Sequence, residues 1–166
     1  MTGVLTIRNE SGRDVIHSPQ GTVALADLLS WEGLVELLES MPQADTPVEH
    51  TFSGGVYVRQ MFIPAGTLIV GKRHRHETCN ILLRGELSVY LGDGKPVTHV
   101  CGPLIMTSEP MTRKIAYCHQ DTVFLNIHPT TETDLDKIEK QFIITEPEYR
   151  AYLLEQERNT PCLGDM

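Results

Sequence analysis

PAGTLIVGKRHRHETCNILLRGELSVY, from Pro64 to Tyr90, sets Lys72, Arg73, His74, Arg75 and His76 inside a run that otherwise reads as β-strand. Gly66–Gly71 and Asn80–Leu83 are short apolar runs between turn residues, and Glu86–Tyr90 is a third. Gly92-Asp93-Gly94, just beyond, is a hairpin-turn signal. His74 and His76 stand two residues apart, so on extended chain both would face the same way.

The β texture continues outward on both sides. Val56–Ile63 alternates well, and further strands fit at Val97–Val100, Leu104–Thr107, Arg113–Tyr117 and Thr122–His128. About eight short strands with Gly and Pro between them predict a sandwich or barrel. Before them lie a short strand at 4–8, a loop or hairpin from Asn9 to Gly21, and a connector from Pro42 to Gly55. Between Val23 and Met41, the residues Leu28, Leu29, Trp31, Leu34, Val35, Leu37, Leu38 and Met41 recur at helical spacing. Thr22 or Asp27 is the expected cap of that helix. After the strands, Thr131–Asp134 opens one short helix and Thr145-Glu146-Pro147 a second, with threonine, proline and acids where helix starts favour them.

The chain has 166 residues and a net charge of −8, with 40% hydrophobic and 22% charged residues. That composition suits one globular domain with a real core. The expected parts are an N-terminal arm and helix over 1–55, a barrel over 56–130 and C-terminal helices over 131–166. An acidic chain without a basic block is a poor nucleic-acid binder, although Lys72–Arg75 could hold one anionic ligand. Met1–Leu5 has neither a charged nor a long apolar segment, so no secretory signal is expected. No apolar run approaches the roughly 18–20 residues that span a bilayer. Cys79, Cys101, Cys118 and Cys162 form no C-x-x-C pair, and reduced thiols in a cytoplasmic setting are expected.

The order of these parts resembles a small single-domain cupin, a double-stranded β-helix or jelly-roll barrel. Residues 64–90 are similar to the first cupin motif, and EPMTRKIAYCHQDTVFLNIH, Glu109 to His128, to the second. The wider stretch 42–143 also resembles short cupin-like proteins encoded by tailed phages and prophages. The resemblance implies a metal held by a His-x-His pair, a glutamate and a later histidine. The sequence departs from that pattern. Counting back from Gly85, the motif's closing glycine, His74 falls in the second-histidine place and Lys72 in the first. Counting from the His-x-His letters, Asn80 takes the glutamate's place. In the second motif Thr112 replaces the turn glycine and Lys114 the histidine, and a lysine cation repels a divalent metal.

Two site chemistries follow. In the first, His74, His76, His119 and His128, with Asn126 nearby, cluster around one divalent metal, Zn, Fe, Mn or Ni. In the second, Arg59, Lys72, Arg73, Lys114 and Tyr57 line a pocket for a small polar or anionic ligand. Arg113 and Tyr117 join that pocket, and His74 or His119 with Tyr117 are the candidate catalytic base and acid, as in metal-free cupin-like epimerases. The leading expectation is therefore a cupin with a degenerate metal site that binds a small ligand, acting in a host cytoplasm. The alternative is a non-enzymatic phage component in the virion, or a protein that blocks a host factor, using the barrel as an oligomerisation scaffold. Either way a homo-oligomer is expected, because an open sheet edge needs covering.

Overall fold

The structure, a computed structural model, describes residues 6–10, 13–18, 21–24, 35, 38–91 and 95–159. Three strands come first: β1 (Thr6–Glu10), β2 (Arg13–Ser18) and β3 (Gly21–Ala24). They pair antiparallel in the order β1-β2-β3. The stretch read as a loop or hairpin thus contains one strand whole and begins another. The helix expected over 23–41 lies mostly outside the described residues. Its first two residues and the cap candidate Thr22 belong to β3, while Val35, Leu38 and Glu39 are helical.

Nine strands follow: β4 (Val48–Ser53), β5 (Val56–Ile63), β6 (Leu68–Val70), β7 (Thr78–Arg84), β8 (Glu86–Tyr90), β9 (Thr98–Cys101), β10 (Leu104–Ser108), β11 (Ile115–Cys118) and β12 (Thr122–Pro129). They form one sheet ordered β10-β7-β12-β5-β4 and another ordered β6-β11-β8-β9, with neighbouring strands paired antiparallel. From β5 to β10 the chain lays β5, β7 and β10 in the first sheet and β6, β8 and β9 in the second, and β11 and β12 then enter between strands already laid down. That interleaving is the eight-stranded jelly roll of two Greek keys, with β4 added at one edge. The expected fold class, a mainly β cupin-type barrel ending in short helices, is the fold observed.

Strand β4 lies where a connector was expected. Its signal is faint because it is an edge strand whose residues after Val48 are all exposed, polar ones among them. The turn joining it to β5 needs two consecutive left-handed residues, which Gly54 (φ +46°) and Gly55 (φ +88°) supply. Gly85 between β7 and β8 is under a stricter demand. Its φ is +120°, and a Cβ there would lie 2.3 Å from Thr122 Oγ1.

The core lies between the sheets. Ile63, Leu82, Leu87 and Cys118 are buried together, with Met61, Ile69, Val89, Val100, Met106 and Phe124 packed on them. Helix α1 (Leu135–Phe142) is capped by Asp134, whose carboxylate accepts from the Asp136 and Lys137 backbone amides. It buries Ile138 and Phe142 against Tyr57. Helix α2 (Glu146–Asn159) starts with a capping box in which Thr145 Oγ1 accepts from the Glu148 amide and Glu148 accepts from that of Thr145. Among the described residues no helix is long and apolar enough to cross a membrane.

Candidate functional site

The inner face of the five-stranded sheet changes character along its strands. One row runs His50, Arg59, Asn126, Asn80 and Met106, each directly opposite the next across β4, β5, β12, β7 and β10. Towards one end the next row holds Phe52, Tyr57 and His128. Towards the other it holds Val48, Met61, Phe124 and Leu82. The facing sheet contributes Ile69, Val70, Leu87, Val89, Ala116 and Cys118 to the space between. The result is a cavity of about 580 Å³ with an apolar floor and a polar mouth, roofed by Leu135, Ile138, Glu139 and Phe142 of α1.

The polar end is a connected network. Asn126 Nδ2 donates to Asn80 Oδ1 at 2.7 Å, and Asn80 Nδ2 donates to Ser108 Oγ at 2.6 Å and to the Thr78 carbonyl at 3.0 Å. Lys114 Nζ also donates to Ser108 Oγ. Thr78 Oγ1 shares a hydrogen bond with His74 Nδ1 at 3.0 Å and lies 3.2 Å from the His76 carbonyl. That bond fixes the orientation of the His74 ring. At the rim, His50 Nδ1 and the Tyr57 hydroxyl share a hydrogen bond of 2.8 Å.

Burial governs the charges. It pushes His74 down to about 4, helped by the nearby charges of His128, Lys114 and Arg59, and His128 likewise to about 4, helped by Arg59. Both imidazoles are neutral at neutral pH. Burial also lowers Arg59 and Lys114 and raises the Tyr57 phenol and the Cys118 thiol. Lys72 is matched, its Nζ lying 2.6 Å from Glu139. Glu139 acts on Arg59 from a distance, and among the described residues no carboxylate lies within ion-pair distance of Arg59 or Lys114.

Tyr57, Arg59, Lys72, His74, Lys114 and His128 line the cavity, as does His50. Other candidates point elsewhere. Arg73 is buried outside the cavity, where it donates to the Met111 carbonyl at 2.5 Å, faces Glu146 at 3.7 Å and lies over the Tyr149 ring at 3.6 Å. Arg75 bonds the Ile143 carbonyl and Glu148, and Arg113 bonds the Gly71 carbonyl and Glu146. These three arginines fasten the turn between α1 and α2 to the barrel, so they are not ligand contacts. Ala116 and Cys118 take the inward positions of β11, which turns Tyr117 outward. His119 follows it, 2.7 Å from Ser88 Oγ on the outer side. His76 is exposed, edge-on to Phe142. Tyr117 and His119 are in edge contact, ring centroids 4.9 Å apart, but on the outer face of the sheet, so that pair does not reach the cavity that His74 lines. The histidine and phenol in contact at the cavity are His50 and Tyr57.

A cupin resemblance implies a metal in this cavity, and the donor set does not fit one. The His74 and His128 rings are stacked, with centroids 5.2 Å apart and planes 15° from parallel, rather than converging on a point. Asn80 stands in the glutamate's place with both ends of its amide engaged, and Lys114 in the histidine's place brings positive charge. Among the described residues, no group of three donors close enough to share an ion includes His74, His76, His119 or His128.

No family model matches the sequence, and no curated protein matches it. Solved structures with similar folds include a cupin-like protein from Thermotoga maritima (16% identity, 66% of this chain and 85% of that one, TM-score 0.45). Another is a protein with a double-stranded β-helix domain from Klebsiella pneumoniae (17% identity, 60% and 84%, TM-score 0.45). A third is KdgF from Halomonas sp. (11% identity, 56% and 87%, TM-score 0.45). The jelly-roll assignment rests on the chain's own strand order.

Proposed function

We propose that the barrel binds a small organic anion with an apolar body. The observation that carries this is the pair of half-buried cations, Arg59 and Lys114, facing the cavity without an ion-pair partner among the described residues. Glu139, already paired with Lys72, is the one carboxylate of the lining among the described residues and compensates Arg59 only in part, and a carboxylate or phosphate head would supply the missing counter-charge. Met61, Ile63, Leu87 and Phe124 would take the apolar body. The test is thermal-shift and calorimetric titration with inorganic phosphate and a series of carboxylates of increasing chain length. Carboxylates with an apolar tail should stabilise the protein. Arg59→Met and Lys114→Met should remove that effect while leaving the unliganded protein as stable or more so. If no carboxylate or phosphate binds, or the double variant binds equally well, the reading fails.

A second reading, the homo-oligomeric scaffold, is favoured by the free side of β10. That strand ends its sheet among the described residues and exposes Ile105 (70%), beside an exposed Leu83 (53%) on β7. Two copies pairing β10 edges about a two-fold axis would cover these side chains. Light scattering should then give twice the chain mass, falling to one in Ile105→Lys. A wild-type monomer at micromolar concentration rejects the scaffold. Whether such an assembly belongs to a virion or engages a host protein is a further step for pull-down of the intact chain.

A further inference from the structure

The outer face of the four-stranded sheet carries a second constellation, independent of the cavity. Leu87 and Val89 face inward, so Glu86 and Ser88 face out. The register sets Cys101 opposite Glu86 and His99 opposite Ser88. A carboxylate oxygen of Glu86, a ring nitrogen of His99 and the Cys101 sulfur all lie within 4.8 Å of one another. His99 Nε2 is already 2.8 Å from Glu86 Oε1. We propose that Glu86, His99 and Cys101 form a surface site for a borderline divalent cation of the Zn(II) type.

The chemistry of the donors points to that class. One thiolate, one imidazole and one carboxylate are the ligand types zinc accepts, at about 2.0–2.3 Å each. The sulfur and nitrogen argue against calcium and magnesium, which take oxygen. Donors around a tetrahedral ion at those bond lengths stand roughly 3.3–3.8 Å apart. The present spacing therefore needs only side-chain rotation on two paired strands. Gln120 Nε2 donates to the other Glu86 oxygen, Oε2, at 2.7 Å, orienting the carboxylate with Oε1 towards His99. Three protein donors and an open side towards solvent leave the fourth position to water. His119, its ring centroid 5.5 Å from that of His99, stays on Ser88 and borders the site without joining it.

The test is Co(II) titration of the full chain, purified under reducing conditions, followed by optical spectroscopy. The expected result is near-stoichiometric uptake with a sulfur-to-cobalt charge-transfer band, and loss of the band on adding Zn(II). Cys101→Ser should abolish the band and His99→Ala should weaken uptake. Gln120→Leu should weaken binding by about 10–100-fold, and His119→Ala should leave the spectrum unchanged. Circular dichroism checks that each variant is folded. Absence of the band in wild type, or its persistence in folded Cys101→Ser, overturns the assignment. Arg59→Met keeps the cobalt spectrum, so this proposal and the cavity reading fail separately.

Discussion

His74 stacks on His128 at 5.2 Å between ring centroids, with one ring on the loop before β7 and the other near the end of β12. Each is held neutral, with its pKa pushed from the ordinary 6.5 down to about 4, first by burial. The folded chain therefore resists protons that the unfolded chain takes up. Stability from this pair is present above pH 6.5 and falls as pH drops towards 4. Chemical-denaturation midpoints should decline over that window, and the decline should be shallower in His128→Gln. A flat profile in wild type would contradict the buried neutral pair.

Asn126 donates to Asn80 in the middle of the polar row. Replacing Asn126 with alanine leaves the Asn80 carbonyl oxygen buried and unpaired, at a cost of about 1–3 kcal/mol. Because the two share one bond, Asn80→Ala with Asn126→Ala should cost less than the sum of the singles. Urea unfolding of all three variants measures this, and strict additivity would count against the bond.

At Gly85 an alanine must take a φ of +120° with its Cβ against Thr122. Strain and overpacking together should cost roughly 2–5 kcal/mol. Thr122→Ala should recover part of the loss by removing the hydroxyl nearest the new methyl. No recovery would assign the penalty to the backbone alone.

Arg73 is a fastening rather than a ligand contact, so Arg73→Met should destabilise by roughly 1.5–3 kcal/mol through the lost charged hydrogen bond. Carboxylate affinity in the cavity should be unchanged. Lost affinity at unchanged stability would return Arg73 to the binding site.

The sequence spoke clearly where one strand face is buried. Val56–Ile63 and Glu86–Tyr90 coincide with β5 and β8 because their alternation follows the pleat. It was quiet at β4, an exposed edge strand without apolar repetition. The departures from the metal motif were readable letter by letter, since Asn80 and Lys114 are visible as the wrong donors. Facing was harder to read. On β11 a one-residue offset decides whether Tyr117 or Cys118 looks inward, and nothing local to Arg113–His119 fixes that choice. Arg73, Arg75 and Arg113 look like an anion patch in one dimension, and only the approach of α2 reveals their partners. Glu86, His99 and Cys101 were invisible for the same reason, being brought together by register alone.

A chain of net charge −8 whose cavity lining, among the described residues, sets Arg59, Lys72 and Lys114 against Glu139 alone offers an incoming anion two opposed fields. The outer field repels at long range, while the inner one attracts only close to the cavity. Mobile ions reach the first and are largely kept from the second, since screening acts over about 8–10 Å of solvent. Dissolved salt would then speed loading more than it weakens retention. The barrel would act as a reservoir that fills slowly in dilute buffer and exchanges faster in a concentrated one.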